Sequence, residues 1–133
     1  DWMHTHREKA LAAAEQKAAN RLTEAERKAA VKRAAQMLAE KTAHFAKEMG
    51  VTYGRITIRE QKTRWGSCSS AGNLNYNWKL VLMPERVMDY VVIHELAHRK
   101  EMNHSARFYA VVAQQMPDYK VWQSWLKEHG REY

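Results

Sequence analysis

His94-Glu95-Leu96-Ala97-His98-Arg99-Lys100-Glu101-Met102-Asn103-His104 is the stretch on which the reading of this 133-residue chain turns. Four residues of α-helix rotate through about 400°, so the His94 and His98 rings leave nearly the same face, roughly 6 Å apart along the axis. Two imidazole nitrogens so placed can converge on one zinc ion, at about 2.1 Å each. Glu95 lies about 100° round from His94, beside the metal rather than in line with it. That position suits a general base acting on a metal-bound water. A catalytic zinc takes three protein ligands and keeps one position open. His104 is the natural third ligand: it follows an expected helix end at Met102-Asn103, where Asn103 tolerates the left-handed conformation that turns a chain back. The later carboxylates Glu101, Asp118 and Glu128 are the alternatives. Glu101, two turns on from His94, reads as a support for a ligand rather than a ligand. Histidines at helical spacing are common in cores and on surfaces. A Glu between them, small apolar residues filling the gap and a third His downstream set this run apart.

Outward from this motif, Pro84 suits the first turn of the helix that carries it, which is expected to run to about Met102. Ser105 is a plausible N-cap for a further helix, and Pro117-Asp118 opens a last one ending at Gly130. Upstream, Tyr53-Gly54-Arg55-Ile56-Thr57-Ile58-Arg59 alternates apolar and polar residues, the pattern of a half-buried strand. A second strand is expected over residues 63–69, a turn over 69–73 and a third strand over 74–83. On that third strand Leu74, Tyr76, Trp78, Leu80 and Leu82 share one face, while Asn73, Asn75, Asn77 and Lys79 share the other. Such an amide-rich face reads as an edge or as the lining of a cleft. Residues 5–49 hold no Gly or Pro and are rich in Ala, Lys, Glu, Arg and Leu, so they are helical. A break falls near residues 20–23, where Thr23-Glu24-Ala25-Glu26 reads as a capping box. Val31, Ala34, Ala35, Leu38, Phe45 and Met49 then form the expected buried stripe. The first helix, near residues 5–19, is Ala-rich with a thin apolar face. The order predicts an α+β fold: a helical segment over residues 1–49, then a small three-stranded sheet packed on helices over residues 50–133.

Composition limits what else the chain can be. At 45% hydrophobic and 10% aromatic residues it can build a core, and no apolar run approaches the roughly 20 residues that span a bilayer. The net charge of +7 is spread evenly, with only Arg55, Arg59, Lys62 and Arg64 crowded together around Glu60. Electrostatics therefore permit contact with nucleic acid, but no motif specifies it. The single cysteine, Cys68, forbids an internal disulfide and fits a cytoplasmic setting. A lone Cys in a strand reads as a small buried hydrophobe rather than a metal ligand. His4, His6, His44 and His129 read as solvated. No secretory signal is visible, and a first residue of Asp points to upstream sequence having been removed. The sequence specifies no oligomeric state.

Arg64-Trp65-Gly66-Ser67-Cys68-Ser69-Ser70, then Gly72-Asn73-Leu74-Asn75, Asn77-Trp78, Pro84, His94-Glu95-Leu96-Ala97-His98, and Met102-Asn103-His104-Ser105 with Phe108 resemble the YgjP-like family of zinc metallopeptidases. The resemblance covers residues 50–130, and the region before residue 50 carries no motif that matches. It implies zinc held by His94, His98 and His104, with Glu95 as the catalytic acid/base. It also implies a zincin-like fold in which one strand edges the cleft, and an extended peptide or protein segment binds by adding a strand there. Either Trp65-Gly66-Ser67 or residues 73–77 would supply that edge. Ordinary core packing is the simpler reading of Trp65 and Trp78.

On this reading zinc polarises the scissile carbonyl, Glu95 takes a proton from the attacking water and returns it to the leaving amine, and Tyr109 or Arg107 are candidate oxyanion donors. Two rivals stay open. One is a zinc hydrolase of a non-peptide substrate such as a nucleotide pyrophosphate, if Arg55, Arg59, Lys62 and Arg64 face the metal. The other is a non-catalytic module, pinned by zinc, that binds protein or nucleic acid.

Overall fold

The computed structural model describes residues 22–60 and 64–133. The helix expected over residues 5–19, His4, His6 and Lys62 lie outside them. Within the described residues the chain runs α1 (Glu24–Met49), β1 (Ile56–Arg59), β2 (Gly66–Cys68), β3 (Leu74–Asn77), a 3-10 turn (Trp78–Leu82), α2 (Glu85–Ala97), α3 (Ala106–Gln115), α4 (Tyr119–His129) and a closing 3-10 turn (Gly130–Glu132). The α+β class and the order of strands and helices are as the sequence predicts.

Both ends of α1 are closed by local chemistry. The Thr23 hydroxyl accepts from the Glu26 N–H at 3.1 Å and donates to the Glu26 carboxylate at 3.0 Å, which satisfies a free donor of the first turn. Gly50, at φ 69°, donates to Lys47 O, and Val51 N donates to Ala46 O, the paired bonds of a Schellman stop. The buried stripe is Ala30, Ala34, Leu38, Thr42, Ala46 and Met49, so Val31, Ala35 and Phe45 flank it rather than belong to it. The difference has a physical reason: a stripe of small side chains lets the helix lie close to its neighbours. Thr42 is tolerated there because its hydroxyl meets the Tyr76 hydroxyl at 3.0 Å. The stripe is part of the same apolar core as β3 and α2.

The sheet order is β1-β3-β2, with β1 parallel and β2 antiparallel to β3. The expected turn joins β2 to β3, with Gly72 at φ 89° donating to Ser69 O. β3 is therefore the central strand, which corrects the reading of its amides as an edge. They stitch the sheet together: Asn75 donates to Ser67 Oγ at 3.2 Å and accepts from Arg59 at 3.1 Å, while Asn73 accepts from the Arg55 N–H at 2.8 Å. β3 is also shorter than expected. Asn77 Oδ1 accepts from the Lys79 N–H at 3.0 Å and starts a 3-10 turn there. Trp78 and Leu80 remain buried, so apolar alternation persists after strand geometry has ended.

α2 is the central helix, and Val87, Val92, Leu96 and Ala97 are fully buried. It stops at Ala97 rather than near Met102. The Arg99, Lys100 and Glu101 N–H groups fold back onto Leu96 O and Ala97 O. The Arg99 side chain is drawn away to Thr52 O at 2.9 Å and Ser70 O at 3.2 Å. Among the described residues no non-glycine has a positive φ, so Asn103 does not make a left-handed turn. Ser105 caps α3 through the Phe108 N–H. Gly130 continues α4 with right-handed dihedrals and packs closely on a side chain from outside the helix: a Cβ there would lie 3.1 Å from the Trp65 indole nitrogen. His129 is 2% exposed, which corrects its reading as solvated; it lies against Trp125 and 3.5 Å from Glu132. His44 is exposed, as expected, beside Glu48. No helix among the described residues is long and apolar enough to cross a membrane.

Candidate metal centre

Because α2 keeps helical geometry through His94 and reaches His98 at its cap, the two rings come out on one side, 5.3 Å apart between centroids. The turn after α2 then brings His104 back. His104 Nε2 lies 3.2 Å from His94 Nε2, and one nitrogen from each of His94, His98 and His104 falls within 4.8 Å of the others. Among the described residues this is the one His/Cys/Asp/Glu group compact enough to hold a metal ion. Cys68 and the carboxylates Glu101, Asp118 and Glu128 are not part of it.

The surroundings prepare these nitrogens for a cation. His98 Nδ1 lies 3.2 Å from the backbone oxygen of Glu101, and His94 Nδ1 lies 3.3 Å from the Tyr90 hydroxyl. A proton on each Nδ1 satisfies those contacts and leaves the Nε2 lone pairs free for a metal. Glu101 meets His98 through its backbone carbonyl rather than its carboxylate. Phe108, fully buried, forms a platform below all three rings: it stacks on His98 at 4.5 Å and meets His94 and His104 edge-on at 4.8 and 5.0 Å. Burial first, and then neighbouring His98 and His104, push the His94 imidazole down to about 4; burial likewise lowers His98. Neutral imidazoles are the form that binds metal. Tetrahedral bonds of about 2.1 Å separate ligand nitrogens by roughly 3.4 Å, close to the 3.2 Å between His104 Nε2 and His94 Nε2, so the spacing fits a divalent metal.

Glu95 is 6% exposed and reaches the same cleft, a cavity of about 500 Å³. Burial raises its carboxyl to about 7, with Arg64 opposing the shift. The opposite wall is Trp65, Gly66 and Ser67. Gly66 packs tightly on Glu95: a Cβ at residue 66 would lie 3.1 Å from Glu95 Oε2, Glu95 Cγ and Val91 Cγ1. Asn77 N donates to Trp65 O and Ser69 N donates to Asn73 O, so in the antiparallel ladder residues 65, 67 and 69 turn their polar backbone towards β3. Gly66 and Cys68 turn theirs outward. Among the described residues the open edge beside the cleft is therefore β2, not residues 73–77. Trp78 is core, whereas Trp65 is half-buried and lines the cleft.

Several participants carried no signal at sequence level. Tyr90 stands one helical turn before His94, a spacing visible in the sequence but without meaning until the metal face is known. Cys68 is half-buried and lines the cleft, not a core hydrophobe, and burial raises its thiol. Met102 and Leu126 complete the apolar lining. Tyr109 stacks on Tyr119 and Arg107 is exposed; neither lines the cleft. Arg55 and Arg59 lie on or beside β1, at the far edge of the sheet, so of the basic cluster only Arg64 reaches the cleft among the described residues.

No curated protein matches the chain. The crystal structure of the metallopeptidase zymogen of Pyrococcus abyssi abylysin superposes with a TM-score of 0.63 at 24% identity, over 71% of this chain and 96% of that one. The metallopeptidase zymogen of Methanocaldococcus jannaschii jannalysin gives 0.60 at 18% identity, over 68% and 94%. At these identities the likeness is one of fold. The model of the YgjP-like metallopeptidase domain matches residues 1–129, extending through residues 1–49 as well as the motif-bearing part, and the chain belongs to that family of metallopeptidases.

Proposed function

We propose that the chain is a zinc-dependent peptidase that hydrolyses extended polypeptide lying along β2, with Glu95 as the proton-transfer group. The observation that carries this reading is the meeting of three imidazole nitrogens with a buried carboxylate in one cleft beside a free strand edge. His94, His98 and His104 would hold the metal, and imidazoles of this kind suit zinc. Bound there, zinc supplies Lewis acidity that polarises a carbonyl and makes water a stronger acid. The chain does the rest. The outward backbone groups of Gly66 and Cys68 pair with the substrate main chain and set its register. Glu95 takes a proton from the attacking water at its carboxylate and gives it to the departing amine. Trp65 and Leu126 keep bulk water from the reacting bond.

Gly66→Ala tests the link between strand and base. The new methyl would lie 3.1 Å from Glu95, which must give by a few tenths of an ångström; a shift smaller than the 1 Å that costs about 10²-fold lowers turnover by roughly 10-fold. The expected result is a kcat reduced to that order, with zinc content by atomic absorption unchanged. Loss of zinc together with activity would instead mean that Gly66 supports the fold.

The proposal as a whole is tested on an unstructured polypeptide incubated with zinc-loaded protein, with new termini mapped by mass spectrometry. Cleavage abolished by a chelator and restored by zinc is the expected outcome. Intact substrate under saturating zinc would reject the peptidase reading, and hydrolysis of a nucleotide pyrophosphate in parallel would favour its rival.

A further inference from the structure

The cleft is mostly apolar around its metal ligands, with Trp65, Val91, Met102 and Leu126 in its walls. Set in that lining is one permanent cation. No other Lys or Arg among the described residues lines the cleft besides Arg64.

Its backbone carbonyl is held by the central strand. The Asn77 side chain, in a residue 2% exposed, donates to Arg64 O at 3.3 Å, and Asn77 N holds the next carbonyl, Trp65 O, at 2.9 Å. The start of β2 is thereby anchored to the central strand. Arg64 itself is exposed and forms no ion pair with any described carboxylate. The nearby cations are engaged elsewhere. Lys79 binds Tyr133 O and Glu60, Arg27 binds Glu60, Arg99 binds two carbonyls and Arg59 binds Asn75. Its field reaches Glu95, where it opposes the rise in that carboxyl. Glu95 stays buried among Val91 and Gly66, whereas Arg64 is an exposed residue of the cleft lining.

We propose that Arg64 forms an anionic subsite of this cleft, binding a carboxylate on the substrate that lies along β2. The inference rests on the peptidase reading for the identity of the substrate. Arg64 precedes Gly66, the first residue of β2, by two positions with a bend at Trp65 between them, so it meets the substrate beyond the stretch that pairs with β2. A guanidinium offers two parallel N–H donors, matching a carboxylate and nothing in an unmodified uncharged peptide equally well. The carboxylate comes from an Asp or Glu side chain or from a free chain end, and the same chemistry serves both.

The test uses zinc-loaded Glu95→Gln protein for binding and zinc-loaded wild type for hydrolysis. The probes are peptides of one sequence carrying Glu, Gln or Lys at each position in turn, with free or amidated C-termini. At low salt one position is expected to bind Glu about tenfold more tightly than Gln, as for a partly exposed charge-assisted pair. Arg64→Gln removes the difference, Arg64→Lys restores part of it, Arg64→Glu reverses it towards Lys, and salt weakens it. If amidation of the C-terminus removes the preference, the chain end is the ligand; if not, the side chain is. Equal binding of Glu, Gln and Lys peptides overturns the proposal. So does a uniform loss of kcat for every peptide in Arg64→Gln, which would make Arg64 a reaction-centre donor instead. Hydrolysis without charge preference leaves the peptidase reading standing and removes this subsite; charge-selective binding without hydrolysis does the reverse.

Discussion

Glu95→Gln is expected to lower kcat for peptide hydrolysis by about 10²–10⁴-fold, the range a positioned general base contributes. The substitution keeps the size and shape of the side chain, so the 6% exposed position stays filled and the contacts with Gly66 and Val91 persist. What is lost is the ability to take a proton from water. Glu95 is not among the three residues proposed to hold the metal, so zinc affinity, measured by competition with a chromophoric chelator, should stay within a few-fold of wild type. Burial already works against a charged carboxylate at this place, so a neutral amide leaves the fold intact. A variant that binds zinc normally and still turns over at the wild-type rate would remove Glu95 from the chemistry.

His104→Ala should have the opposite signature. His104 is the exposed member of the cluster and comes from a turn rather than from α2, so its removal disturbs little of the core. Zinc affinity is expected to fall by more than about 100-fold, beyond the 10- to 100-fold that loss of a supporting partner costs. Differential scanning calorimetry reads the same change. At a zinc concentration 100 times the wild-type dissociation constant, binding stabilises the wild type by about 2.7 kcal/mol. A 100-fold weaker variant gains only about 0.4 kcal/mol under those conditions. A thermal shift with zinc as large as that of wild type would exclude His104 as a ligand and return attention to a carboxylate.

How much of this could be read in advance follows from the range of each interaction. The pairing of His94 with His98, and the placing of Glu95 beside them, are consequences of a single helix period, and they needed no tertiary information. Thr23, Gly50 and Ser105 likewise mark helix ends by bonds to residues no more than four positions away. The end of α2 was misread because it is set from far along the chain, by the pull of Thr52 and Ser70 on Arg99. The third strand looked too long because a 3-10 turn kept Trp78 and Leu80 inward, imitating strand alternation. Which strand forms the free edge was unreadable for a similar reason. The turn at residues 69–73 pairs β2 with β3, but only the parallel packing of β1 makes β3 central. His129 looked solvated because Trp65 at Gly130, and Tyr133 beside Trp125, cover the end of α4 from outside its own helix.

The most direct measurement is a titration of metal-free protein with zinc, following hydrolysis of an extended peptide against equivalents of metal added. A peptidase centred on His94, His98 and His104 gains activity linearly and stops at one zinc per chain, with no gain in His104→Ala over the same range. Full hydrolysis by the metal-free protein, or a wild-type response in His104→Ala, would contradict it.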